Sequence, residues 1–242
     1  HRQPRGMSRW REFHDALSSR LQLSQQPREF EFPRSVLHES FTFTGPWIDP
    51  SAREVSDFPF DRLDSRPLIY ASMGTLQNRR FDIYAKIAQA CAGLDVQLVI
   101  ALGGGSSVSE LPNLPGDPLV VEHAPQLELL KRATLCITHA GLNTVLECLS
   151  VGLPMVALPV TNDQPRVAAR VAWTKTGHVI PVSKMTPVNL RAAVELVLRD
   201  ATYRDNANRL KQAIIEADGL VRAADHVEER LLARSPLPMG EG

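Results

Sequence analysis

The chain has 242 residues, 43% hydrophobic and 22% charged, and its 27 basic and 27 acidic side chains give a formal net charge of zero. This is globular composition with enough apolar material for a sizeable core. The charge balance argues against a general nucleic-acid binder, which carries a basic footprint, and no apolar run reaches the ~20 residues that span a bilayer.

The opening residues His1 to Gly6 lack the apolar stretch of a secretory signal. Three cysteines, Cys91, Cys136 and Cys148, lie far apart in apolar segments and read as buried free thiols, not as a disulfide scaffold or zinc knuckle. A reduced, cytoplasmic, soluble protein is expected.

In chain order, Trp10, Phe13, Leu17 and Leu21 recur as one face of a helix, and Val36 to Thr44 reads as a strand closed by Gly45-Pro46. A Pro-, Asp- and Ser-rich connection then runs to Pro67. One helix, one strand and a linker cannot bury a core of their own. Residues 1–65 therefore read as the end of another domain joined to a linker.

From residue 66 strands alternate with helices. Pro67 to Ser72 is a short apolar run broken at Gly74, and Phe81, Tyr84, Ile87, Ala88 and Cys91 follow at helical spacing up to the stop at Gly93. Val96 to Leu102 is a strand ending in three glycines. Leu119 to Val121 and Leu135 to Ile137 are two more, with a short helix from Gln126 to Lys131 between them. Leu142, Val145, Leu146 and Leu149 line a helix ended by Gly152 and Pro154, and Met155 to Leu158 is a further strand. Thr186-Pro187 caps a helix carrying Leu190, Val194 and Val197. Two last helices run from about residue 200 to 217 and from 221 to 233. Such alternation predicts an α/β fold, a doubly wound parallel sheet with ligands at the carboxyl ends of its strands.

Three of those strand ends suit an anion: Ser72-Met73-Gly74-Thr75, Gly103-Gly104-Gly105-Ser106-Ser107, and Thr138 to Thr144 where a strand becomes a helix. Unpaired N–H groups and the helix dipole favour negative charge at such a start, with no need of lysine or metal. Taken singly, each glycine is also explained by an ordinary strand-to-helix turn, and neither the dinucleotide nor the P-loop fingerprint is present. Asn143 and Glu147 are four apart, on a face away from Leu142, Leu146 and Leu149. Glu147 could accept hydrogen bonds from ribose hydroxyls or simply be a solvated surface glutamate.

His123-Ala124-Pro125-Gln126, then Thr138-His139-Ala140-Gly141-Leu142-Asn143-Thr144, then Glu147, Gly152, Pro154, Pro159 and Asp163-Gln164 resemble the donor-binding signature of UDP-dependent glycosyltransferases. The segments Leu68 to Thr75 and Gln97 to Ile100 look most like bacterial zeaxanthin (carotenoid) glucosyltransferases. The resemblance implies the C-terminal half of a two-domain GT-B enzyme, with residues 66–242 as the Rossmann-like donor domain and residues 1–65 as a remnant of the acceptor domain plus linker.

The resemblance also implies roles. Ala124 and Gln126 would meet the uracil through backbone groups, with the His123 ring against its face. His139, Gly141, Asn143 and Thr144 would hold the diphosphate, helped by Ser72 and Thr75. Glu147 would take the ribose, and Asp163 and Gln164 the sugar hydroxyls. Plant members carry tryptophan in place of His123, so weaker base stacking is expected. The implied reaction is inverting hexose transfer, with glucose expected, from a UDP-sugar to a hydroxyl of a lipophilic acceptor, a carotenoid among the candidates. It needs no cofactor, and the lack of any D-x-D pair fits a metal-free route. The base would lie in the missing domain, the isolated chain would bind donor without completing catalysis, and the full-length enzyme could touch a membrane surface. A UDP-sugar epimerase, a cell-wall type acetylglucosaminyl transferase and a non-catalytic nucleotide-binding module are the competing readings.

Overall fold

Leu68–Ser72 (β3) has no polar face, and all five of its residues are buried. A strand like this needs cover on both sides, which parallel sheets receive from the helices of their crossovers. The computed structural model describes residues 18, 20–52, 57–74, 80–104 and 106–232.

Within them β3 is joined by Gln97–Ala101 (β4), Leu119–Val121 (β5), Leu135–Thr138 (β6), Met155–Ala157 (β7) and Gly177–Val179 (β8). All pair in parallel in the order β5-β4-β3-β6-β7-β8. The chain leaves β3 in one direction and returns at β6 to build in the other. The carboxyl ends of these two central strands therefore diverge into a crevice, where open α/β sheets take ligands.

Alternate residues feed two cores. Leu68, Tyr70, Val99 and Cys136 face one side, while Ile69, Ala71, Ile100 and Ile137 face the other. On the second side Phe81–Cys91 (α1) packs on Pro187–Arg199 (α5). The first side is covered by Gln126–Arg132 (α2), Leu142–Ser150 (α3) and Ala201–Ala217 (α6), with Leu129, Val145, Leu149 and Leu210 fully buried. Thr186 caps α5 through a reciprocal pair with Asn189, and Asp200 caps α6. The three cysteines are free and buried, as expected. No described helix is long and apolar enough to cross a membrane.

Within the sheet domain, one α-helix and one strand have no counterpart in the sequence reading, Gln164–Trp173 (α4) and β8. α4 has only four buried residues, and β8 is three residues long. α4 does place Val167, Ala168 and Val171 on one face, but these small residues form only a short apolar stripe.

The strand expected over residues 36–44 contracts to Phe41–Phe43 (β2), because a turn through His38 closes with a 2.9 Å bond from the Phe41 amide. It pairs in parallel with the unanticipated Gln22–Ser24 (β1). Trp10, Phe13 and Leu17 of the expected helix lie outside the described residues, and Leu21 is not helical. Phe30 and Phe58 enter the core on the first side of the sheet, with the turn at Phe30 packed on α6, so the segment before residue 66 seats on the sheet domain. The last helix, Gly219–Leu232 (α7), starts where Gly219 lies flat on the Gly45-Pro46 backbone, an approach that any Cβ would block.

Candidate functional site

A cleft of about 1430 Å³ opens at the carboxyl ends of β3 and β6. Its lining includes ten of the twelve residues singled out in the sequence: Ser72, His123, Ala124, Gln126, His139, Gly141, Asn143, Thr144, Glu147 and Asp163. Thr75 lies outside the described residues.

Gln164 is the exception among those described. It is buried, and its Oε1 accepts the Val160 and Thr161 amides at 2.9 and 3.0 Å. That oxygen is spent on the loop before α4, so of the pair expected to read a sugar only Asp163 reaches the cleft wall.

The floor is the turn from β6 into α3. Ala140 adopts φ 65° with no exposed surface, and the Thr138 hydroxyl accepts its amide at 3.2 Å. A buried non-glycine residue held in that left-handed region is strain of the kind stored at functional sites. It aims the start of α3, where Gly141 at the N-cap supplies no side-chain cap, into the cleft. The amides there and the helix dipole form an anion seat.

The His139 ring lies between two glycines. A Cβ on Gly74 or on Gly141 would fall onto the imidazole, so both positions must lack one. Burial lowers the His139 pKa, partly opposed by the Ser72 backbone and the Asp163 charge, and its buried Nδ1 has no well-formed hydrogen-bond partner among the described residues. A neutral imidazole therefore lies directly beside the anion seat.

Glu147 is 2% exposed, which removes the surface-glutamate alternative. The helical-face expectation also needs correcting: Leu142 lines the cleft beside Asn143, and Glu147 is buried with Leu146 and Leu149. The Gln126 amide nitrogen donates to Glu147 Oε2 at 2.5 Å, and Tyr70 Oη donates to Gln126 Oε1 at 3.1 Å. At the opposite rim His123 is exposed beside Gly104, where a Cβ would strike its ring. Of the triple-glycine turn, Gly103 reaches the cleft and Gly105 lies outside the described residues. Among the described residues no three His, Cys, Asp or Glu side chains converge as metal ligands.

Among the cleft residues not foreseen, two make side-chain hydrogen bonds to expected site residues. Tyr70 sits in a strand that reads as pure core. Gln25, which donates to Asn143 Oδ1 at 3.0 Å, belongs to the segment read as a remnant. Neither position carries a local sequence signal.

Residues 13–225 match the family model described as UDP-glucoronosyl and UDP-glucosyl transferase. The chain belongs to this family. Zeaxanthin glucosyltransferase of Pantoea ananas is 31% identical over 240 residues, 98% of this chain and 55% of the relative. That of Pseudescherichia vulneris is 33% identical over 234 residues, 96% and 55%. Among solved structures, the calicheamicin glycosyltransferase CalG4 superposes with a TM-score of 0.74 at 26% identity, covering 89% of this chain and 53% of that one. The kitacinnamycin glycotransferase gives 0.75 at 30%, covering 86% and 54%. The fold is that of GT-B glycosyltransferases, and the chain spans about half the length of the curated relatives it matches.

Proposed function

We propose that this glycosyltransferase chain is the donor-binding half of an inverting, metal-independent enzyme that moves a hexose, glucose foremost, from a UDP-sugar to a hydroxyl of a lipophilic small molecule. The observation that carries the reading is the meeting of ten signature residues, from four separate segments, around one cleft with an anion seat at its floor. The zeaxanthin glucosyltransferases among the relatives make a carotenoid the first acceptor to try.

The roles are those the family resemblance implies, and the cleft positions are compatible with them. Backbone groups of Ala124 and Gln126 meet the uracil at the start of α2, with His123 against its face. Glu147 accepts from the ribose. Gly141, Asn143, Thr144 and Ser72 surround the diphosphate, and Asp163 receives the sugar. As the glycosidic bond breaks, negative charge grows on the leaving diphosphate. The α3 amides and His139 are already oriented toward that charge, so no dipole has to turn during the reaction. On this reading the acceptor pocket and the base that deprotonates its hydroxyl lie outside this chain, so the chain alone binds donor without turnover. Its domain division, residues 66–242 for the donor and the earlier residues as acceptor-domain end and linker, is part of the same proposal.

Calorimetric titration tests it. UDP, TDP and UDP-glucose should bind in the presence of EDTA and GDP should not. Equal affinity for GDP, or binding abolished by EDTA, would overturn the base assignment or the metal-free route respectively.

A further inference from the structure

Three side chains from three elements form one relay at the cleft wall: buried Tyr70 on β3, half-buried Gln126 at the start of α2 and buried Glu147 on α3. Its polarity is fixed by chemistry. A carboxylate can only accept, so Gln126 must turn its NH₂ to Glu147 and its carbonyl oxygen to Tyr70, and the phenol must donate. Tyr70 is 1% exposed, and burial raises its pKa, which keeps the donating proton in place.

We propose that Tyr70 is a positioning residue for the ribose subsite: by holding the Gln126 amide in one orientation, it fixes the Glu147 carboxylate for the ribose hydroxyls. This rests on the donor-binding reading above. The aromatic ring fills the core under the sheet, whereas the hydroxyl donates to Gln126 and also interacts with the Ser72 side chain, both on the cleft side. Without that hydroxyl the Gln126 carbonyl loses its buried partner. The amide is then less constrained, and the carboxylate is held less firmly from the Gln126 side.

The test compares UDP with 2′,3′-dideoxyuridine diphosphate, so that only ribose recognition separates the ligands. Wild type should prefer UDP. In Tyr70→Phe that preference should narrow by about three- to tenfold, the worth of one neutral hydrogen bond, with dideoxy binding unchanged. A purely structural role would lower both affinities equally or only the melting temperature, and that result overturns the proposal, as does an unchanged preference. If Tyr70→Phe does not fold, Gln126→Met decides. It breaks the relay at its centre and should narrow the same preference, and a preference retained there sinks the idea. Failure of wild type to bind UDP at all would instead strike the donor-binding reading.

Discussion

Arg170 on α4 grips Glu31 with two hydrogen bonds, Nε to Oε1 at 3.2 Å and Nη2 to Oε2 at 2.8 Å. The pair ties the segment before the linker to the sheet domain across 139 positions of sequence. The Glu31 side chain is 4% exposed and that of Arg170 15%. Burial works to raise the Glu31 pKa, but the bonds from Arg170, the Phe32 amide and Gln26 outweigh it and the pKa is lowered. That contribution is therefore present above the ordinary carboxylate pKa and is lost as pH falls through the lowered one.

Arg170→Ala should cost about 3 kcal/mol of unfolding free energy, near the lower limit for stripping one partner from a buried pair, because Arg170 keeps some contact with water. Urea denaturation at neutral pH measures it. A loss within the ~1 kcal/mol of a surface ion pair would show that the contact does not anchor the segment.

His139 predicts a pH effect of opposite origin. Its pKa is lowered by burial, so below about 6.5 the unfolded chain takes up a proton that the folded chain refuses. Stability should fall as pH drops from 6.5 toward the lowered value, and His139→Gln should flatten that slope. Thermal melts of both proteins across this range provide the comparison, and parallel slopes would reject the assignment.

Gly141→Ala isolates the packing beneath His139. The backbone at Gly141 has φ −64°, acceptable to any residue, so the only conflict is the new methyl against the imidazole. UDP affinity should drop about tenfold, the scale of one lost hydrogen bond to a charged group, with the fold retained by circular dichroism. Unchanged affinity would mean the ring has room to move.

Three substitutions should separate the subsites. Glu147→Ala should weaken uridine and UDP alike by ~10- to 100-fold, His139→Ala should weaken UDP more than uridine, and Asp163→Ala should weaken only UDP-glucose. Titration of the three ligands into each variant supplies the answer. Equal loss of UDP in all three would show that the residue-by-residue assignment is wrong.

Much of this was written locally. The β3, β4 and β6 runs, the Thr186 cap and the turn from Thr138 to Thr144 are set by neighbours a few positions apart, which is where backbone propensity, capping and helix-terminus chemistry act. The signature from His123 to Gln164 is legible for the same reason, since each of its pieces is a short strand-to-helix junction.

What the sequence could not decide depends on contacts between distant positions. Glu147 reads equally well as surface or site until α2 brings Gln126 against it, and the sequence gives no sign that the Gln164 Oε1 is taken up by its own loop. Tyr70 looks like core, which its ring is, while its hydroxyl acquires a task only from a residue 56 positions away. Local sequence settles which elements form. Burial and hydrogen-bond partners are properties of the packed whole, so only the tertiary structure assigns these side chains to the cleft or away from it.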